Sequence, residues 1–333
     1  MRRLSILIWH IHGSYLNTLS RIDHTWYVPT KPDKPEGYGG RGPTFDLPPN
    51  VVEVPAESVR DLALDLVIHQ TPKNYCEDQY EILSDDQRRL PRIYLEHNTP
   101  RPDPVATRHV VDDPQVMLVH VTHYNRLMWD NGRIPTRVVK HAVAIDSRVH
   151  YSGDIARGVA VVNGIQKRPR IAGLDILQAL QRDLPIDLAG MMTEELGGLG
   201  DIPYRDLHGR MAHYRLLVSP IRYTSLPLAV IEAMTIGMPV VALATTELPT
   251  AIENGVSGFV SCDIDELVAS IRALLADPCL ARSIGARARD VAHERFGLER
   301  FAHDWNAIFA EVTGAPAREM RAAPLRYENG RWV

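Results

Sequence analysis

Residues 216–258 read LLVSPIRYTSLPLAVIEAMTIGMPVVALATTELPTAIENGVSG. The segment opens on a short apolar run, 216–219, of strand length. A polar turn at 221–225 follows, then an apolar stretch at 226–236 that is long enough for a helix and closes at Gly237. Met238-Pro-Val-Val-Ala leads into the next strand. Strand, turn, helix, strand is the repeating unit of a parallel sheet, whose strands are covered on both faces and carry near-continuous apolar sequence. Ser225 is expected to cap the helix and Pro227 to occupy its first turn, where backbone N–H groups have no intrahelical partner. Those donors and the helix dipole suit a phosphate. Glu232 lies roughly two turns into the helix, placed to accept hydrogen bonds from a ribose diol.

The same alternation extends in both directions. Upstream, 158–162 and 186–190 read as strands, with helices at 173–183 and 207–214 and a third strand at 215–219. Downstream come a strand at 239–244, a short helix at 250–254 and a strand at 258–261, completing a doubly wound domain. From Asp263 the period becomes helical: Leu267, Ile271, Leu274 and Leu275 recur on one face, Asp263 or Asp265 caps the start, and Asp277-Pro278 marks the stop. Two further amphipathic helices are expected at 282–296 and 299–312.

The first half carries apolar runs at 4–9, 25–29, 64–69, 92–96 and 116–121, with a helical stretch at 74–83. Residues 31–49 are rich in Gly and Pro and form a long loop, either substrate-binding or decorative. The expected fold class is α/β, two Rossmann-like doubly wound domains facing a cleft. They span 1–150 and 151–315, the latter with closing helices, followed by a tail at 316–333.

The 333-residue chain has 45% hydrophobic and 23% charged residues and a formal net charge of −4. That balance suits a globular protein and argues against nucleic acid as a partner, which favours a basic surplus. The three cysteines show neither a disulfide framework nor a CxxC metal pattern and are expected to be buried or idle. The apolar run at 4–9 is interrupted by His10 and His12 and reads as a first strand rather than a signal peptide. No stretch approaches the ~20 apolar residues of a membrane span. The expected location is cytoplasmic, with peripheral contact at the inner face of the membrane left open.

Glu232-Ala-Met, Gly237-Met-Pro-Val-Val241 and Asn254-Gly-Val-Ser-Gly258 stand in the order and spacing of the GT-B glycosyltransferases. Within these the chain resembles the large retaining family 4, clearly over about residues 205–312. The resemblance implies a nucleotide-diphosphate sugar as donor and a glycan or glycolipid as acceptor. It implies Glu232 on the ribose, with Tyr223, Thr224, Ser225 and Leu226 around the diphosphate. The family pattern is altered at two acidic positions: the first glutamate of Glu-x7-Glu is Thr224, and the Gly-Gly-x-Pro-Glu turn reads Thr246-Glu247-Leu248-Pro249-Thr250.

Departing pyrophosphate must be neutralised by a metal, by Lys/Arg or by backbone donors. The first half lacks a suitable Asp-x-Asp motif, so no metal and no cofactor is expected. The resemblance points to basic residues after the first strand of the second domain, where Lys167, Arg168 and Arg170 stand. Lys167 is assigned to donor binding; Arg168 and Arg170, whose planar forks suit phosphate oxygens, are assigned catalytic roles. In the first domain it places Gly13 beside the donor, His12, Ser14 and Thr122 on the acceptor side, and His97 near the transferred sugar. Glu96 or Asn98 would stand beside His97, and His120 and His123 have a fainter claim. Gly13 would allow close backbone approach, and Ser14 would cap the next helix. Retention by same-face displacement is implied. A non-catalytic nucleotide-sugar-binding protein, and an epimerase or phosphorylase on the same fold, remain the alternatives.

Overall fold

The structure, a computed structural model, describes residues 2–314 and the backbone of 327–328 and 331–332. The expected tail at 316–333 lies outside the described residues, except for an antiparallel pairing of Tyr327–Glu328 with Arg331–Trp332. The chain divides into two units, Met1–Ala144 with Leu298–Val333, and Ile145–Gly297.

The first unit is built on a seven-stranded sheet. Its strands are β1 (Ser5–Ile8), β2 (Thr25–Thr30), β3 (Val51–Pro55), β4 (Leu66–His69), β5 (Arg92–Glu96), β6 (Val116–His120) and β7 (Thr136–Val138). The order is β3-β2-β1-β4-β5-β6-β7, and every pairing is parallel. Helices α1 (Gly13–Leu19), α2 (Gln79–Ile82) and α3 (His123–Met128) lie among the connections. All residues of β4 and β6 are buried, as continuous apolar runs require. The order reverses between β1 and β4, so the loops leaving those strands flank a topological switch point.

The second unit has five parallel strands: β8 (Ile155–Val161), β9 (Ile186–Ala189), β10 (Tyr214–Ser219), β11 (Val240–Leu243) and β12 (Phe259–Ser261). Their order, β12-β11-β10-β8-β9, sets the switch point between β8 and β10. Helices α4 (Pro169–Ala172) and α5 (Leu174–Gln181) follow β8, α6 (Tyr204–Met211) precedes β10, and α7 (Leu228–Ile236) and α8 (Leu248–Ala251) follow β10 and β11. Helices α9 (Ile264–Ala276) and α10 (Pro278–Phe296) complete the unit. Asp263 caps α9 by accepting from Asp265 N, and Asp277 caps α10 by accepting from Cys279 N and Leu280 N.

The last helix, α11 (Leu298–Thr313), departs from the expected organisation. It packs in the first unit, not the second. Its apolar face, Phe301, Trp305, Ile308 and Phe309, joins the core formed by Ile6, Ile8, Trp26 and Val28. Polar bonds fix the register: Trp305 Nε1 donates to the Tyr15 hydroxyl at 3.1 Å, and His24 Nε2 donates to Asn306 Oδ1 at 3.1 Å. Arg300 donates to the Lys140 and His141 carbonyls. The three cysteines are free and exposed, not buried. Among the described residues no helix is long and apolar enough to cross a membrane.

Candidate nucleotide-sugar site

At the switch point of the second unit the loop after β8, 162–173, meets the loop after β10, 220–227. Arg222 N donates to Ile171 O at 2.9 Å, and Tyr223 N reaches the same carbonyl at 3.4 Å. Gly173, at φ 78, lies so close to Pro220 that a Cβ there would sit 1.9 Å from the Pro220 carbonyl oxygen. Only glycine permits that approach. Lys167 ends a short turn at Ile165–Lys167, and Arg168 immediately precedes α4. Both side chains are exposed, and among the described residues neither has a side-chain partner. Arg170 differs: its Nη1 donates to Asp175 Oδ2 at 2.8 Å. That carboxylate also accepts two bonds from Arg222, at 2.6 and 2.7 Å.

The expected cap at Ser225 is displaced. Helix α7 begins at Leu228, its N-cap is Pro227 with ψ 125, and no side chain caps it. A proline disfavours helical backbone at the residue before it, which keeps Leu226 in the loop and delays the helix. Ser225 and Leu226 are buried; Tyr223 and Thr224 are half-buried. Among the described residues no side chain accepts from the N–H groups of Leu228 and Ala229.

Glu232 is 4% exposed. The Tyr204 hydroxyl donates to its Oε1 at 3.4 Å, and His208 Nε2 lies 3.4 Å from the same oxygen. Its Oε2 has no protein partner among the described residues. That oxygen of an otherwise buried side chain is therefore open to a ligand donor. Thr250, at the altered motif position, lies in α8. Glu247, just before that helix, is itself buried, and Thr245 Oγ1 ties the turn to Ile221 O at 3.2 Å. Asp175, Tyr204, His208, Arg222 and Glu247 were not singled out from sequence. Tyr204, His208, Asp175 and Arg222 meet partners 24 to 47 residues away, in the pairs His208–Glu232, Tyr204–Glu232 and Asp175–Arg222.

In the first unit His12, Gly13, Ser14 and His97 gather at the switch point, where the His12 and His97 ring centroids are 4.0 Å apart. Gln70 Nε2 donates to Trp9 O at 2.6 Å, which turns its Oε1 toward His97 Nε2 at 2.9 Å. His97 therefore carries its proton on Nε2 and keeps Nδ1 as an acceptor. Glu96 is committed: its Oε1 accepts from Asn98 N and its Oε2 from His109 Nε2. Asn98 is exposed. His120 Nε2 donates to Asn131 Oδ1, and His123 is exposed.

Ser14 is not a cap, because α1 starts at Gly13 with His12 in the N-cap position and no capping side chain. A Cβ on Gly13 would meet the Phe45 ring at 2.5 Å, so Gly13 admits the long loop at 31–49. That loop is pinned, with Arg41 donating to the Pro48 and Val51 carbonyls and Tyr38 fully buried. Thr122 is buried, and its hydroxyl caps α3 by accepting from Asn125 N at 3.0 Å. Asn125 in turn donates to the Asn98 carbonyl at 3.1 Å. Among the described residues no three of His, Cys, Asp and Glu come together as a metal-ligand set.

Burial keeps several histidines of this unit neutral. His12 and His120 are held down to about 4, and His69 and His141 to about 3. His97 lies well below its usual 6.5, through burial and then the nearby His12 and His141. Below pH 6.5 the unfolded chain binds protons that the folded unit refuses, so stability is full above pH 6.5 and falls toward the folded values. The slope is about 1.4 kcal/mol per pH unit per histidine. Denaturant midpoints measured from about pH 7 to pH 5 should drop steeply, with a shallower slope for His141→Leu. A flat profile would contradict the burial of these rings.

Residues 170–277 match the family model for glycosyl transferases group 1. N-acetyl-alpha-D-glucosaminyl L-malate synthase of Bacillus anthracis is 29% identical over 91 residues, 26% of this chain and 24% of that protein. The match thus spans about a quarter of the curated relative's length. Sucrose-phosphate synthase from Thermosynechococcus elongatus superposes with TM-score 0.69 at 16% identity, covering 94% of this chain and 100% of its own. HepE of Anabaena, solved in complex with UDP, superposes with TM-score 0.64 at 14% identity over 93% of this chain and 100% of its own. At such identities the likeness establishes the fold, two parallel-sheet α/β units of GT-B type.

Proposed function

We propose that the protein is a glycosyltransferase that moves a sugar from a nucleoside diphosphate to a glycan or glycolipid acceptor with retention and without a metal. One observation carries the donor assignment. Glu232, a buried residue whose Oε2 accepts from none of the described residues, stands on the helix whose uncapped N-terminus follows the β10 loop. Ribose takes Glu232 Oε2, and the diphosphate takes the first-turn N–H groups of α7 with Lys167 and Arg168. The match over residues 170–277 and the UDP bound to HepE support this reading.

Retention follows from attack on the face that the leaving group departs. The acceptor oxygen bonds to the anomeric carbon as the bond to the diphosphate oxygen breaks, and the acceptor proton passes to that leaving oxygen. No side-chain base is needed, and stabilising the pyrophosphate carries the barrier reduction. In the first unit, His97 Nδ1 offers an acceptor to a substrate hydroxyl, with His12, Gly13, Ser14 and Thr122 around it. A glycolipid acceptor would bring the protein to the inner face of the membrane.

Thr224 and Thr250, in place of two motif glutamates, favour a second reading: a protein that binds nucleotide sugars without turnover. Incubation with UDP-, GDP-, ADP- and dTDP-sugars and a mixed acceptor panel separates the two. Transfer should release one nucleoside diphosphate and leave an α-linked product from an α-linked donor. That diphosphate alone should stabilise the fold by about 2.7 kcal/mol at a hundred times its dissociation constant. Binding without release supports the second reading, and stabilisation by none refutes both.

A further inference from the structure

The Arg222–Asp175 pair has no part in the ligand contacts above, yet it joins the two loops that make them. Asp175 opens α5, after the β8 loop, and Arg222 lies in the β10 loop. The guanidinium meets the carboxylate on both oxygens, at 2.6 and 2.7 Å, and its Nη1 also donates to Arg170 O at 2.8 Å. The Arg222 side chain is only 24% exposed. A planar two-pronged contact of this kind is the exception to the weakness of surface ion pairs. Arg222 is the first cause holding the Asp175 carboxyl well below its usual range, so the pair stays charged at physiological pH. Thr245 binds the neighbouring Ile221 carbonyl, which leaves the β10 loop little freedom to slide.

We propose that Arg222 and Asp175 are the positioning residues of the diphosphate site. Their clamp fixes the spacing between the Lys167–Arg168 pair and the N-terminus of α7, so that both reach one pyrophosphate. The inference rests on the nucleotide reading above. It also gives Arg170 a role, as a second cation on Asp175 rather than a direct phosphate ligand.

The test uses the full chain with Arg222→Lys, Asp175→Asn and the exchanged pair Arg222→Asp with Asp175→Arg. Calorimetry gives dissociation constants for UDP, GDP, ADP and dTDP and for the parent nucleosides, and hydrogen exchange follows the Arg222 and Tyr223 amides. Each single change should weaken diphosphate binding about tenfold, as small misplacements of binding groups do, and leave nucleoside binding unchanged. The two amides should exchange faster, and the exchanged pair should recover most of the loss. A purely structural role would shift diphosphate and nucleoside binding together, and that result overturns the proposal. So does unchanged diphosphate binding in the single variants. A wild-type chain that binds none of the four diphosphates refutes the nucleotide reading, and the clamp's role with it.

Discussion

Glu232→Ala should abolish the rise in melting temperature that a nucleoside diphosphate gives the wild-type chain, and should raise its dissociation constant by about two to three orders of magnitude. The size follows from the bonds lost. A hydrogen bond to a charged group contributes about 1.5–3 kcal/mol, and a ribose diol offers two. Burial sharpens the effect, because Glu232 is 4% exposed and its bonds form away from bulk water. Glu232→Gln keeps the volume and an acceptor for Tyr204 but removes the charge, so its loss should be intermediate. Calorimetry on both variants, beside their unliganded melting temperatures, separates ligand contact from damage to the Tyr204–His208 contacts. An unchanged dissociation constant in the alanine variant would end the ribose assignment.

The second large effect is on rate. The double change Lys167→Ala, Arg168→Ala should lower kcat by about a hundred- to a thousandfold, the scale of losing preorganised charge on a leaving group. KM for the donor should change less, because charge builds on the pyrophosphate as the bond breaks. Arg170→Ala should cost far less than Arg168→Ala, since Asp175 already occupies the Arg170 side chain whereas the Arg168 side chain has no partner among the described residues. Steady-state rates for the three variants decide it. Arg170→Ala proving as damaging as the double change would place the phosphate on the wrong side of the β8 loop.

Much of the second unit was legible because β9, β10 and β11 are buried along nearly their whole length. The apolar runs at 215–219, 239–244 and 186–190 became β10, β11 and β9 within a residue or two. The edge strands of the first sheet were not. β3 buries only Val51 and Val54 and ends in Pro55, and β7 has no fully buried residue. An edge strand has one ladder and one open side, so it needs no continuous apolar signature. Helix α6 starts at Tyr204, ahead of the 207–214 that the apolar period predicts, because the polar residues of its first turn mask that period.

The site divides in the same way. The segment 223–232 could be read because its chemistry is local: a strand end, a turn, a helix and a carboxylate. The cap is the exception, since Pro227 rather than Ser225 takes the N-cap position. The separation of Arg170 from Lys167 and Arg168 was hidden, because it is made by Asp175 and by Arg222 from another loop. The return of α11 to the first unit was equally hidden. Its amphipathic face shows that it must pack, and only Tyr15, His24 and the Lys140–His141 carbonyls show where.

The most direct measurement is a crystal structure of the full chain with the nucleoside diphosphate that stabilises it most. Phosphate oxygens should lie within hydrogen-bond distance of the Leu228 and Ala229 N–H groups and of Lys167 or Arg168, with both ribose hydroxyls on Glu232. A nucleotide bound elsewhere, with the start of α7 and Glu232 untouched, would contradict the donor assignment.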